Sequence, residues 1–322
     1  MALQNFPVSF ENPTYALLGV GLGVVFVVLF YLSYKRLRIA QKRLEPAKWK
    51  IMRRIVRVAN VGTKIGMIIA LSTLLATPYL PMTIEVPVEE ASEEQTAQYA
   101  VAVMILLDVS YSMNYSDLKP TRLAVSRSMA QLLVNKMGSK DLLGFVSFAG
   151  EVYDTILPTS NKSNVIALVN NQTYHPSTAI GTALQTAIGV LETYEVGKAV
   201  VLFSDGKNNF GEKNLTSVAE AAVAMKIPIF TVFAGTYGVG EADPISLREI
   251  SDKTGGKFYE IRSEEMESLV TEVSEISQDV KVSALKTVFD KITVETRDYE
   301  TPRVIFSALL VVSLFLIWFT GV

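Results

Sequence analysis

Tyr99–Met113, "YAVAVMILLDVSYSM", carries the decisive pattern. Its first nine residues are apolar on both faces, as in a central parallel strand covered by helices on both sides. Asp108 then ends the run, and Ser110 and Ser112 follow on alternate positions. Outward from this strand, apolar runs alternate with amphipathic stretches. "TRLAVSRSMAQLLVNKM", from Thr121, places Leu123, Met129, Leu132, Leu133 and Met137 largely on one helical face behind Pro120. "LLGFVSFAG" and "EVYDTILP" read as two strands joined tightly at Gly150. A helix through Val165–Val169 and the loop "NQTYHPST" then lead into the helix "AIGTALQTAIGVLETY". "KAVVLFSDG" is a second apolar strand ending in an acid, Asp205. Helices and strands alternate from there to a last helix beginning in "SEEMESLV". The expected fold is α/β, a doubly wound and mostly parallel sheet. In such sheets ligands sit beyond the carboxyl ends of the strands, so Asp108 and Asp205 should face one crevice.

Further out, three apolar runs have the character of membrane spans: Tyr15–Tyr34, Gly66–Met82 and Val304–Val322. Lys64 can snorkel from the second. Ten basic residues lie between Lys35 and Arg57 against one acid, Glu45, although the formal net charge of the chain is −2. A basic segment between two spans stays cytoplasmic, which puts the N-terminus and the long segment from Thr83 to Arg303 outside. The expected organisation is a tail and first span over 1–34, a basic cytoplasmic loop over 35–63 and a second span over 64–82. An acidic linker over 83–98, the α/β domain over 99–281, a stalk over 282–303 and a third span over 304–322 follow. The expected location is the cell membrane, multi-pass, with the domain extracytoplasmic. The basic segment is assigned to anionic lipid of the inner leaflet and not to nucleic acid. Gly19 and Gly23 are assigned to close helix packing, because no strand precedes them as a nucleotide loop requires.

The composition removes several chemistries. There is no cysteine and a single histidine, His175, so neither a thiolate site nor a histidine zinc cluster can form. A Ser-His-Asp centre has little support, since Ser147 in "GFVSFAG" lacks the glycine spacing of a nucleophile elbow. Asn114, Asn161, Asn171 and Asn214 begin glycosylation sequons, all in the segment placed outside.

"DVSYS" (Asp108, Ser110, Ser112), "STAIGTAL" (Thr178) and "LFSDGKNN" (Asp205) bring hard oxygen donors of the kind magnesium takes. They resemble the metal-ion-dependent adhesion site of von Willebrand factor A (VWA) domains: Asp-x-Ser-x-Ser, then a Thr, then an Asp before Gly. Thr182 is a rival for the threonine position, but the residue before "AIG" fits the pattern better. The resemblance spans roughly Tyr99–Lys281. It implies a divalent cation, Mg²⁺ or else Mn²⁺ or Ca²⁺, held by Ser110, Ser112 and Thr178 directly, with Asp108 and Asp205 acting often through water. It also implies a partner protein that donates a carboxylate, and a non-enzymatic role in assembly, scaffolding or adhesion. The layout of spans, and the "FENP" entry at Phe10–Pro13, resemble aerotolerance-type (BatA-like) membrane VWA proteins. That resemblance implies other membrane subunits and a cytoplasmic MoxR-type AAA+ ATPase as partners. The alternatives are an accessory subunit of a larger membrane complex with a vestigial metal site, and a hydrolase.

Overall fold

A computed structural model of the chain describes residues 8–40, 47–209, 214–240, 242–262 and 265–320. Lys42, Arg43 and Glu45 of the basic segment, Ser263 and Glu264 of the expected last helix, residues 1–7 of the expected N-terminal tail and the last two residues of the third expected span lie outside the described residues. Strand β1 (Ser9–Phe10) and helices α1 (Pro13–Ala40) and α2 (Ala47–Leu75) come first, then β2 (Pro78–Pro87), a 3₁₀ turn at Val88–Glu90 and α3 (Glu93–Thr96). The alternating region follows as β3 (Val101–Asp108), α4 (Arg122–Lys136), β4 (Leu142–Phe148), β5 (Val152–Thr159), α5 (Lys162–Asn170) and α6 (Ile180–Glu192). It continues with β6 (Gly197–Ser204), α7 (Leu215–Ala224), β7 (Ile229–Phe233), α8 (Pro244–Thr254), β8 (Phe258–Glu260) and α9 (Met266–Lys286). Strand β9 (Lys291–Asp298) and helix α10 (Glu300–Thr320) complete the order.

The chain divides into two compact units, one of residues 85–292 and one of residues 1–84 with 293–322. In the first, a six-stranded sheet runs β5-β4-β3-β6-β7-β8. All neighbours are parallel except β5, which returns antiparallel on β4 through the tight turn at Gly150. Every residue of β3 is buried, as its unbroken apolar run requires when helices cover both faces. Register sets the crevice: Leu107 pairs with Phe203, so Asp108 and Ser204–Asp205 emerge side by side from β3 and β6. On one face Met104, Leu106, Val200 and Leu202 pack with Ile180, Leu184, Ala187 and Leu191 of α6. Helix α4 buries Leu123, Met129 and Leu133, and Met137 just beyond its end, whereas Leu132 is only half-buried.

Three expectations about segment boundaries are corrected here. The acidic stretch over 83–98 is not a free linker: Val88, Ala91 and Thr96 are buried, and Ser92 closes a capping box with Gln95 at the start of α3. The glutamates face outward, so charge alone gave a misleading picture. The last helix starts at Met266 and runs to Lys286, past the expected end of the domain at Lys281. The stalk over 282–303 therefore divides into the end of α9, strand β9 and the first turn of α10.

In the other unit, α1 and α10 both pack on α2. A Cβ at Gly19 would come within 1.7 Å of Ser72 Oγ, so glycine is what lets α1 approach α2 there. At Gly23 a Cβ would meet nothing within 4 Å, and the expected role in close packing fails for that residue. Ser72 and Thr73 donate their hydroxyls to carbonyls one turn back, at Ile68 and Ile69, which satisfies them within an apolar helix. The expected second span is also corrected. Thr77 takes a left-handed φ of 48°, Pro78 has no amide hydrogen to continue a helix, and residues 78–82 lie in β2. β2 pairs antiparallel with β1 and lies between β1 and β9. The backbone of the expected basic loop is helical over 35–40 and 47–63, as extensions of α1 and as the start of α2. Among the described residues, one helical segment, Pro13–Leu32, is long and apolar enough to cross a membrane; Val61–Leu75 is apolar but shorter.

Candidate functional site

Asp108 ends β3, fully buried, and its Oδ1 accepts the backbone N–H of Ser110 at 2.9 Å, bending the loop into the crevice. Its Oδ2 accepts the Ser204 hydroxyl at 2.6 Å, which joins the ends of β3 and β6. The same Ser204 oxygen accepts Gly206 N–H at 3.0 Å. Gly206 has φ 80°, and a Cβ there would lie 2.1 Å from the Asp243 carbonyl, so glycine must follow Asp205. Ser110 and Ser112 hold their hydroxyl oxygens 3.0 Å apart at the mouth of the crevice.

Thr178, also buried, starts the second wall. Its N–H donates to Asn209 Oδ1 at 2.9 Å and its carbonyl accepts Asn209 N–H at 3.1 Å. Asn208 Oδ1 accepts Ile180 N–H at 3.1 Å. Two asparagines thus lash the loop before α6 to the loop after β6, and bring Thr178 to the Asp205 loop. Asp205 Oδ1 accepts Lys207 N–H at 3.1 Å, and Oδ2 accepts Arg122 Nη1–H at 2.9 Å. The five expected residues therefore stand on three neighbouring loops of one sheet edge, tied to one another by hydrogen bonds.

Burial first, and the charge of Asp205 second, push the Asp108 carboxyl up to about 7, against the hydrogen bonds from Ser204 and Ser110. Removing a carboxylate from water and placing another beside it makes a proton or a cation welcome. The donor chemistry fits a small hard dication: every side-chain donor is oxygen, two of the five are acids, and three are neutral hydroxyls. In an octahedron of magnesium–oxygen bonds of about 2.1 Å, adjacent oxygens sit about 3.0 Å apart, the Ser110–Ser112 separation. Among the described residues no group of three or more His, Cys, Asp or Glu is placed to hold a metal ion, so an ion at this edge depends on the hydroxyls.

His175 sits at the rim: its N–H donates to the Val109 carbonyl at 2.8 Å and its ring stacks on Tyr153 at 3.7 Å between centroids. Ser147 is a structural residue, its hydroxyl accepting Asp154 N–H at 3.1 Å. Asn161 and Asn214, two of the sequon asparagines, are N-caps of α5 and α7. Sequence reasoning missed Ser204, Asn208, Asn209, Asp117 and Arg122. The first three lie within "FSDGKNN" and could have been read as site residues. Asp117 and Arg122 gave no signal, because the acid that Arg122 meets across the crevice is 83 residues away.

A doubly wound sheet with acids at the ends of two adjacent central strands, and hydroxyls on the loops beside them, defines a class of α/β domain that works from the carboxyl edge of its sheet. The chain belongs to the von Willebrand factor type A domain family, whose model matches residues 102–274. It is 30% identical to a UPF0353 protein of Nocardia farcinica over 201 residues, 52% of this chain and 60% of that one. A UPF0353 protein of Mycobacterium avium is 24% identical over 319 residues, 89% of each. Among solved structures, the chain is similar to an aerotolerance-related membrane protein from Bacteroides fragilis, with a TM-score of 0.49 and 22% identity over 56% of this chain and 98% of that one.

Proposed function

We propose that this chain is a membrane-anchored VWA protein that recognises a partner protein through a divalent cation at the Asp108–Asp205 edge. Ser110, Ser112 and Thr178 hold Mg²⁺, or Mn²⁺ or Ca²⁺, directly; Asp108 and Asp205 supply the balancing charge. The hydroxyl-rich shell leaves the ion attractive to one more anion, which a partner's carboxylate provides. The observation that carries this reading is the convergence of the two acid-ended strands and the Thr178 loop on one hydrogen-bonded edge. The role is assembly or scaffolding, without catalysis.

Three spans anchor it, within α1, α2 and α10, with the basic segment cytoplasmic and the VWA domain outside. Support comes from the apolar character of Pro13–Leu32, Val61–Leu75 and Val304–Val322, and from ten basic residues between the first two. The basic segment lies against anionic lipid, where a MoxR-type AAA+ ATPase has access to it. The test is recovery of partner proteins from mildly solubilised membranes. Partners should co-purify with the wild type in Mg²⁺ and be lost in EDTA or with Asp108→Ala; recovery unchanged by either rejects recognition through the metal.

A further inference from the structure

Arg122 is fully buried, on the first turn of α4, although an arginine is among the costliest side chains to bury. Its guanidinium forks onto Asp117, with Nε to Oδ1 and Nη2 to Oδ2 both at 2.8 Å. Nη2 also donates to the Val239 carbonyl at 3.0 Å, and Nη1 to Asp205 Oδ2 at 2.9 Å. Asp117 accepts Thr236 N–H at 2.8 Å as well. The Tyr115 ring lies 5.0 Å from the guanidinium carbon. Gly235 leaves the space: a Cβ there would stand 3.2 Å from that carbon. The group is thus fixed on several sides and cannot swing away from Asp205.

This has a direct consequence for the carboxylate. Asp205 Oδ2 is taken by a cation and Oδ1 by the Lys207 N–H. A metal ion approaching Asp205 meets oxygens already engaged, with a fixed positive charge behind them. We infer that Arg122 is a positioning residue that reserves Asp205 for the outer shell of the bound cation and thereby disfavours Ca²⁺ relative to Mg²⁺. Calcium takes six to eight oxygens and gains from each carboxylate that turns inward, whereas magnesium keeps several of its waters and needs fewer. Asp117 balances the arginine, so three carboxylates against one guanidinium still leave the centre two formal negative charges for the ion.

The inference rests on the metal reading of the site, and its test separates the two. Purified, chelator-stripped full chain in detergent is titrated calorimetrically with MgCl₂ and with CaCl₂. Arg122→Met frees Oδ2 and should raise the ratio of Ca²⁺ to Mg²⁺ affinity by about tenfold or more. Arg122→Lys keeps the charge and should return the ratio to within about threefold of the wild type. Asp117→Asn leaves Arg122 on Asp205 and should leave the ratio unmoved, although it loosens the same packing. If Arg122→Met does not fold with Asp117 stranded, the double variant D117N/R122M reports the same ratio. Intact metal binding with an unchanged ratio in that variant overturns the inference and makes Arg122 structural only. Failure of the wild type to bind either ion overturns the site reading itself, and this inference with it.

Discussion

Asp108 is buried beside a second acid, and its carboxyl titrates near 7 where an isolated one titrates near 3.8. The folded chain therefore holds that proton more tightly than the unfolded chain does. In the absence of metal this stabilises the fold fully below about pH 4, and the contribution is lost as pH rises through about 7, a change on the order of a few kcal/mol. On the proposed reading a dication takes the place of the proton, so Mg²⁺ should raise the melting temperature more at pH 8 than at pH 5. In EDTA, Asp108→Asn should lose the part of the pH slope that the wild type shows between pH 5 and 8. Melting curves across that range check both; Mg²⁺ stabilisation that does not grow with pH contradicts the assignment. Asp117 behaves oppositely: burial pushes its carboxyl up, but Arg122 and the Thr236 N–H outweigh it and hold it below the usual range. The five proposed ligands were readable because each motif is local, a few residues around one strand end. Arg122 and Asp117 were not, because a buried charge declares itself only through partners that the fold brings from far along the chain.

The helices and strands of the VWA domain follow from local chemistry, and α4 illustrates it. Thr121 caps the helix, its Oγ1 accepting Ala124 N–H at 3.2 Å, and Leu133 is fully buried on the core face. Thr121→Ala should cost about 1 kcal/mol and Leu133→Ala about 2–5 kcal/mol in urea unfolding of a fragment covering residues 85–292. Equal costs would mean that the helix is held by something other than its apolar face. The central strands were legible from apolar runs ended by an acid. Segments at the edges of the domain were harder. The acidic 83–98 stretch looked like linker because its buried residues, Val88, Ala91 and Thr96, are few and spaced between glutamates. The 66–82 run looked like one span because hydropathy does not register that Pro78 ends a helix and that Tyr79 suits a strand.

For the whole molecule, the orientation proposed from charge can be tested cleanly, since the sequence contains no cysteine. A single cysteine placed at Glu94 should react with a membrane-impermeant maleimide on intact cells, and one placed at Lys48 should react only after lysis. The opposite pattern puts the VWA domain in the cytoplasm and separates it from any partner outside. The α/β domain was legible at this level through its alternating segments; the pairing of β2 with β9 was not, because more than two hundred residues lie between them. The central claim is that a divalent ion occupies the edge where β3 and β6 end. Crystals of the chain soaked in MnCl₂ and measured at the manganese absorption edge test it most directly. The account predicts one strong anomalous peak within bonding distance of the Ser110, Ser112 and Thr178 hydroxyls, absent in Asp108→Ala. No peak there, or one bound elsewhere and indifferent to Asp108→Ala, contradicts it.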